Sequence, residues 1–140
     1  MNNRFFLDLK YISISFDKLI EKRTGFTSAQ LRILGYLMQH EEVVVYQKDI
    51  EDSIAVSRAA VSTILDKMER AGLLVRENSS MDKRMKRISL TSKGRAAAID
   101  VYKMMCQIED DLCSTLNEEE KDTVIRVKNK LINKLEESGC

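Results

Sequence analysis

Apolar residues recur along this chain at helical and at strand spacing, and each spacing predicts a different kind of element. Val61, Ile64, Leu65 and Met68 fall three and four apart, one apolar stripe on a helix over residues 57–71. Its other side carries Ala59, Ser62, Thr63, Asp66, Lys67 and Arg70, all small, hydroxylic or charged. Gly72 stops that helix, because glycine takes the positive φ of a helix end without penalty. Short strand candidates follow at residues 73–76 and 87–90. The polar loop between them, residues 78–86, holds Lys83, Arg84 and Lys86.

The same pattern divides the rest of the chain. Residues 4–22 read as a helix with one stripe of Phe5, Leu9, Ile12, Phe16 and Leu19 and a second of Leu7, Tyr11 and Ile14. Gly25 breaks it, and Thr27-Ser28-Ala29-Gln30 matches a capping box for a second helix to about Gln39, with Leu31, Leu34 and Met38 inward. Residues 41–46 include Val43-Val44-Val45, a β-prone run able to pair with the hairpin as a third strand. Residues 47–53 then form a short helix, with Ile54-Ala55-Val56 as the turn into the helix capped by Ser57. Thr91 or Ser92 starts a long helix to about Leu116. Val101, Met104, Met105, Ile108 and Leu112 lie on one side of it; Ile99, Tyr102, Cys106 and Cys113 lie on the other. Asn117 with Glu120 begins the last helix, striped by Val124, Val127, Leu131 and Leu135.

One apolar face is enough for a surface helix of a single domain. The first helix and the long helix after the hairpin carry two, and the last helix adds a stripe of its own, which predicts burial against a second copy of the chain. The expected fold is therefore mainly α with a small β wing, a winged helix-turn-helix, joined as a homodimer through its N- and C-terminal helices. At 140 residues this is one domain by size. Residues 28–95 would be the winged helix-turn-helix part and residues 1–24 and 96–138 the dimerisation helices. Hydrophobic residues at 44% argue against disorder, and charged residues at 32% argue against a membrane protein. No apolar run reaches the roughly 20 residues of a spanning helix, and Asp8 and Lys10 interrupt the segment where a signal peptide would lie. A cytoplasmic protein is expected, with no membrane partner.

The net charge of +1 says little, but its distribution says more. Residues 54–95 hold ten Lys/Arg against four Asp/Glu, a net +6, while the remainder is net negative. A basic loop beside a helix with a small, polar outer face suits a reader of double-stranded DNA. Such a helix fits a major groove about 12 Å wide, and the hairpin reaches phosphates or the neighbouring groove. On the helix, Ser57, Arg58, Ala59, Ser62, Thr63 and Lys67 are the candidate contacts. Arg58 suits guanine O6 and N7, the hydroxyls suit several bases, and alanine suits a thymine methyl. In the loop, Asp82 would accept from the backbone or brace Arg84, while Lys83, Lys86 and Arg87 would hold phosphates.

The run VSRAAVSTILDKMERAGLL, and the pattern Asp-x-Arg then Leu-Thr-x-x-Gly at Asp82, Arg84, Leu90, Thr91 and Gly94, resemble the winged helix-turn-helix of the MarR family of bacterial regulators. Length and helical ends are similar too, so the resemblance covers nearly the whole chain. It implies a two-fold dimer that binds palindromic operators, most often as a repressor, in the bacterial or archaeal cytoplasm and associated with the nucleoid. It also implies that Arg84 enters a minor groove. A further implication is release by a small aromatic or phenolic effector, in a pocket that Tyr11, Phe16, Leu34, Met38 and Tyr102 would line unless they are plain core. Two positions depart from the family pattern. Ala55 replaces the turn glycine, and Glu51 stands where a small residue usually packs against the recognition helix.

Other chemistry is poorly supplied. One histidine, His40, cannot make the multi-ligand metal site of zinc-sensing relatives; it is expected to be exposed at a helix end. No cofactor is expected. Cys106 and Cys113 stand about 10.5 Å apart along one helix and cannot bond to each other there. They read as small buried apolar residues or as thiols for sensing or for bonding a partner chain, and Cys140 reads as incidental. No catalytic triad, carboxylate pair or phosphate loop is present, so an enzyme is not expected. Two alternatives to a DNA-binding regulator stay open on the residues alone: a winged-helix module that binds protein, and a thiol-based redox-sensing regulator.

Overall fold

Caps and glycines set the element boundaries. The computed structural model describes residues 4–54 and 56–139; the expectations for Ala55 and Cys140 fall outside them. Among the described residues the order is α1 (Phe5–Thr24), α2 (Ser28–Gln39), β1 (Val45–Tyr46), α3 (Gln47–Ser53), α4 (Arg58–Arg70), β2 (Leu74–Asn78), β3 (Lys86–Leu90), α5 (Ser92–Cys113) and α6 (Glu118–Glu137). This is the mainly helical fold with a small antiparallel wing that the pattern predicts. The chain divides into two compact units between Met104 and Met105, although its length suggests one domain.

In the first unit, α1 ends where Gly25 takes φ 77° and donates its N–H to Glu21 O. Thr27 and Gln30 cap α2 reciprocally, as expected. The sheet order is β1-β3-β2, with Val45 opposite Ile88 and Leu74 opposite Leu90. The hairpin strands run further than their hydrophobic cores predict, to Asn78 and from Lys86, because the antiparallel register carries the ladder into polar residues. β1 is shorter than the valine run, and Val43 and Val44 stay exposed.

Ile33, Leu34 and Leu37 of α2, Ile50 of α3, Val61, Leu65 and Met68 of α4, and Leu74 and Ile88 of the hairpin form one buried core. The stripe of α4 is thus the one read from the sequence, with Ile64 only partly buried. On α2 the buried face is centred on Ile33, Leu34 and Leu37, and Leu31 and Met38 lie at its margin. Of α1 only Ile20 is buried, while Phe5, Leu9, Ile12, Leu7, Tyr11 and Ile14 are exposed. His40 is not an exposed helix end. It is half-buried, its Nδ1 lies 2.7 Å from Tyr36 O, and its ring stacks on Tyr36 at 4.1 Å.

In the second unit, α5 stops at Cys113, earlier than expected, as Ser114 and Thr115 turn their hydroxyls back onto the carbonyls of Asp111 and Leu112. Asn117 and Glu120 then make the anticipated capping box. α6 has no buried residue, and Val124, Ile125, Val127, Ile132 and Leu135 are exposed. Cys106 and Cys113 are free and half-buried rather than buried.

Candidate nucleic-acid interface

The face of interest starts at Ser57. Its Oγ accepts from Ala60 N at 3.1 Å, so the hydroxyl is the N-cap of α4. With Val61, Leu65 and Met68 in the core, helical period leaves Arg58, Ala59, Thr63 and Lys67 exposed and Ser62 half-buried. Thr63 donates its hydroxyl to Ala59 O at 3.0 Å and keeps its lone pairs outward. Asp66, grouped with this face by its spacing, belongs to a different contact.

That contact is Arg76, on β2, whose side chain is 10% exposed. Its guanidinium bonds Asp66 and, at 3.1 Å, Glu69, while Arg76 N donates to Glu69 at 3.0 Å. The hydrogen bond from Arg76 holds the Glu69 carboxyl below its ordinary pKa. Burial opposes the Arg76 charge, and its bonds to both acids outweigh that and raise its pKa. The clamp fixes the wing's first strand to the last turns of α4. Sequence reading missed it. The available signal was the pair Asp66 and Glu69, three apart and so on one helix side, followed by an arginine directly after the apolar run Leu73-Leu74-Val75 of a strand.

A second lock explains the Leu-Thr-x-x-Gly pattern. Thr91 N donates to Leu73 O at 3.1 Å, and Thr91 Oγ1 donates to Gly72 O at 2.5 Å and accepts from Gly94 N at 3.0 Å. Lys93 Nζ donates to Ala71 O at 2.7 Å. Thr91 is therefore the cap of α5, and it ties that start to the end of α4 and the first residues of the wing.

The wing loop is closed by its own backbone, with Ser79 N donating to Met85 O at 2.8 Å and Met85 N to Asp82 O at 3.0 Å. Asp82 Oδ1 accepts from Arg84 N at 2.9 Å and lies 3.6 Å from Arg84 Nε. Asp82 thus does both things proposed for it, bracing loop and arginine, and leaves the Arg84 side chain 93% exposed. Lys83, Lys86 and Arg87 are exposed as well. A cleft of about 380 Å³ separates this wing from α3, lined by Tyr46, Gln47, Lys48, Glu51, Arg84, Met85 and Lys86.

The five residues named for an effector pocket differ in burial. Leu34 is core, Tyr11 and Tyr102 are exposed, and Phe16 and Met38 are half-buried. None of them lines the cleft by the wing or another beside Leu37, His40, Glu41, Arg87 and Arg95. Among the described residues no three His, Cys, Asp or Glu side chains are grouped to hold a metal, and no helix is long and apolar enough to cross a membrane.

A short helix, a turn, a capped helix with a polar outer face and a basic two-stranded wing define a winged helix-turn-helix protein. The MarR family model matches residues 24–85. The uncharacterized HTH-type transcriptional regulator YwhA of Bacillus subtilis (strain 168) is 30% identical over 99 residues, 71% of this chain and 70% of YwhA. The transcriptional repressor MprA of Escherichia coli (strain K12) is 26% identical over 126 residues, 86% of this chain and 72% of MprA. Among solved structures, MepR, a transcription regulator of the Staphylococcus aureus multidrug efflux pump MepA, superposes with a TM-score of 0.80 at 26% identity. That match covers 96% of this chain and 98% of MepR. The MepR–DNA complex gives a TM-score of 0.70 at 25% identity, covering 96% of this chain and 99% of that one. The chain belongs to the MarR family: it is a transcriptional regulator and not an enzyme.

Proposed function

We propose that this chain represses transcription as a homodimer that reads a palindromic double-stranded DNA operator and releases it on binding a small aromatic or phenolic effector. One observation carries the reading. The first unit exposes Arg58, Ala59, Thr63 and Lys67 of α4 on the same segment of chain as the basic wing, within a region of net charge +6. In this reading Ser57, Arg58, Ala59, Ser62, Thr63 and Lys67 meet the major groove. Arg84, braced by Asp82, enters a minor groove, where narrow A·T-rich stretches attract arginine. Lys83, Lys86 and Arg87 hold phosphates. MepR has been crystallised with DNA, and MprA is a repressor, which supports DNA as the partner and repression as the sign.

Residues 28–95 are the DNA-binding part, and residues 1–24 and 96–138 the dimerisation helices. Support for the dimer is the apolar surface that α1 and α6 leave open to solvent in the single chain. The effector rests on the family resemblance, as does placement in the cytoplasm on the nucleoid. The test is selection of bound duplexes from a random pool. An inverted repeat, with half-site centres about 34 Å apart, is the expected result. No enriched sequence, or an affinity flat with salt, would overturn the reading.

A further inference from the structure

Glu51, a departure from the family pattern, lies on α3 facing the start of α4. Its side chain is 15% exposed, and its Oε2 lies 3.7 Å from Arg58 Nε. Its other oxygen, Oε1, accepts a hydrogen bond from Gln47 Nε2 at 3.4 Å. One carboxylate oxygen is thus anchored on its own helix and the other faces a guanidinium on the next. Arg58 is 79% exposed at the first position of α4, and Glu51 is the acid paired with it among the described residues.

Two physical consequences follow. A guanidinium is a flat fork of five N–H donors. With Nε on the side of Glu51 and the side chain 79% exposed, the two terminal amino groups stay available, the pair that can bond guanine O6 and N7 together. A solvent-exposed arginine otherwise samples many rotamers, and ordering it on binding costs side-chain entropy. The anchored carboxylate reduces that cost beforehand. The second consequence concerns phosphate. Any free cation near DNA attracts phosphate regardless of sequence. A carboxylate beside Arg58, in a cleft otherwise carrying Lys48, Arg84 and Lys86, weakens that attraction at this one position.

We propose that Glu51 is a specificity-determining positioning residue. Its carboxylate, held by Gln47, aims the terminal amino groups of Arg58 at a guanine and keeps the arginine from serving as a phosphate clamp. This rests on α4 being the DNA-reading helix. A surface ion pair with a merely structural role would contribute little to stability and nothing to base preference, so base preference is the deciding readout.

The experiment uses the full chain and the operator obtained by duplex selection with the unmutated protein. Single-base operator variants and a non-operator duplex are titrated with the unmutated protein, Glu51→Gln, Glu51→Ala, Arg58→Ala and the double variant Glu51→Gln/Arg58→Ala; melting is recorded for each. Arg58→Ala is expected to abolish a guanine preference at one position per half-site. Both Glu51 variants should weaken that same preference about five- to tenfold, leave the other positions unchanged, and bind non-operator duplex as tightly or more tightly. In the double variant, Glu51→Gln should add nothing to the loss from Arg58→Ala. An unchanged preference profile in the Glu51 variants, an equal loss on every duplex, or an Arg58→Ala profile matching the unmutated one would overturn the proposal. If the unmutated protein selects no duplex, the functional reading itself fails, and that result precedes any variant.

Discussion

Replacing Gly94 with alanine tests whether the start of α5 is locked against the end of α4. A Cβ built there would sit 1.8 Å from the carbonyl oxygen of Leu73, 2.8 Å from its carbonyl carbon and 3.1 Å from Leu90 Cδ2. Ordinary contact needs roughly 3.5 Å, so two backbone segments must separate by well over an ångström. Separation stretches the bonds from Thr91 to Leu73 O and Gly72 O and from Lys93 to Ala71 O. Overpacking costs about 1–3 kcal/mol, and each hydrogen bond lost adds about 0.5–1.5 kcal/mol, less where water replaces it. A loss of about 3–5 kcal/mol is expected, in the range that marks a specific structural fault. Gly35, inside α2 with nothing within 4 Å of its would-be Cβ, is the control. There alanine should stabilise by about 1 kcal/mol through helix propensity. Urea unfolding at fixed protein concentration measures both, the midpoint shifting while the slope holds. A Gly94→Ala midpoint within about 0.5 kcal/mol of the unmutated protein, or a Gly35→Ala loss of similar size, would refute the close-approach reasoning.

Three further outcomes follow from the same geometry. Arg84→Ala should weaken operator binding by about 1–3 kcal/mol in fluorescence anisotropy and leave the urea midpoint unchanged, because the Arg84 side chain is 93% exposed; equal affinity would remove the wing from the interface. Because Glu69 is held below its ordinary carboxylate pKa of 4.5, its contribution is present above that pH and lost as pH falls through the lower folded value. The melting temperature of the unmutated protein should therefore fall more steeply below pH 4.5 than that of Arg76→Met, and parallel curves would dismiss the clamp as a source of acid sensitivity. Leu135→Glu changes a side chain exposed in the single chain, where such a substitution shifts stability by no more than about 0.5 kcal/mol. If α6 is buried in an obligate dimer, the variant should instead lose both dimer and fold in sedimentation and melting at micromolar concentration.

The sequence by itself determined the element order, because that depends on local chemistry. Thr27 with Gln30, Ser57, and Asn117 with Glu120 are caps whose partners lie three residues away, and the steps of three and four in α4 state directly which side is buried. The basic wing was legible for the same reason, its charges lying in one short segment. Contacts between elements distant in sequence were decided only by the tertiary structure. Arg76 meets Asp66 and Glu69, and Glu51 meets Arg58, only after the sheet and the two helices have packed. Gly94 looks like any glycine until the Leu73 carbonyl is brought against it. The spread of Tyr11, Phe16, Leu34, Met38 and Tyr102 between core and surface likewise depends on how α1, α2 and α5 pack. Hydrophobic period states which way a side chain faces on its own helix, whereas the neighbour it meets is set by the packing of the whole unit.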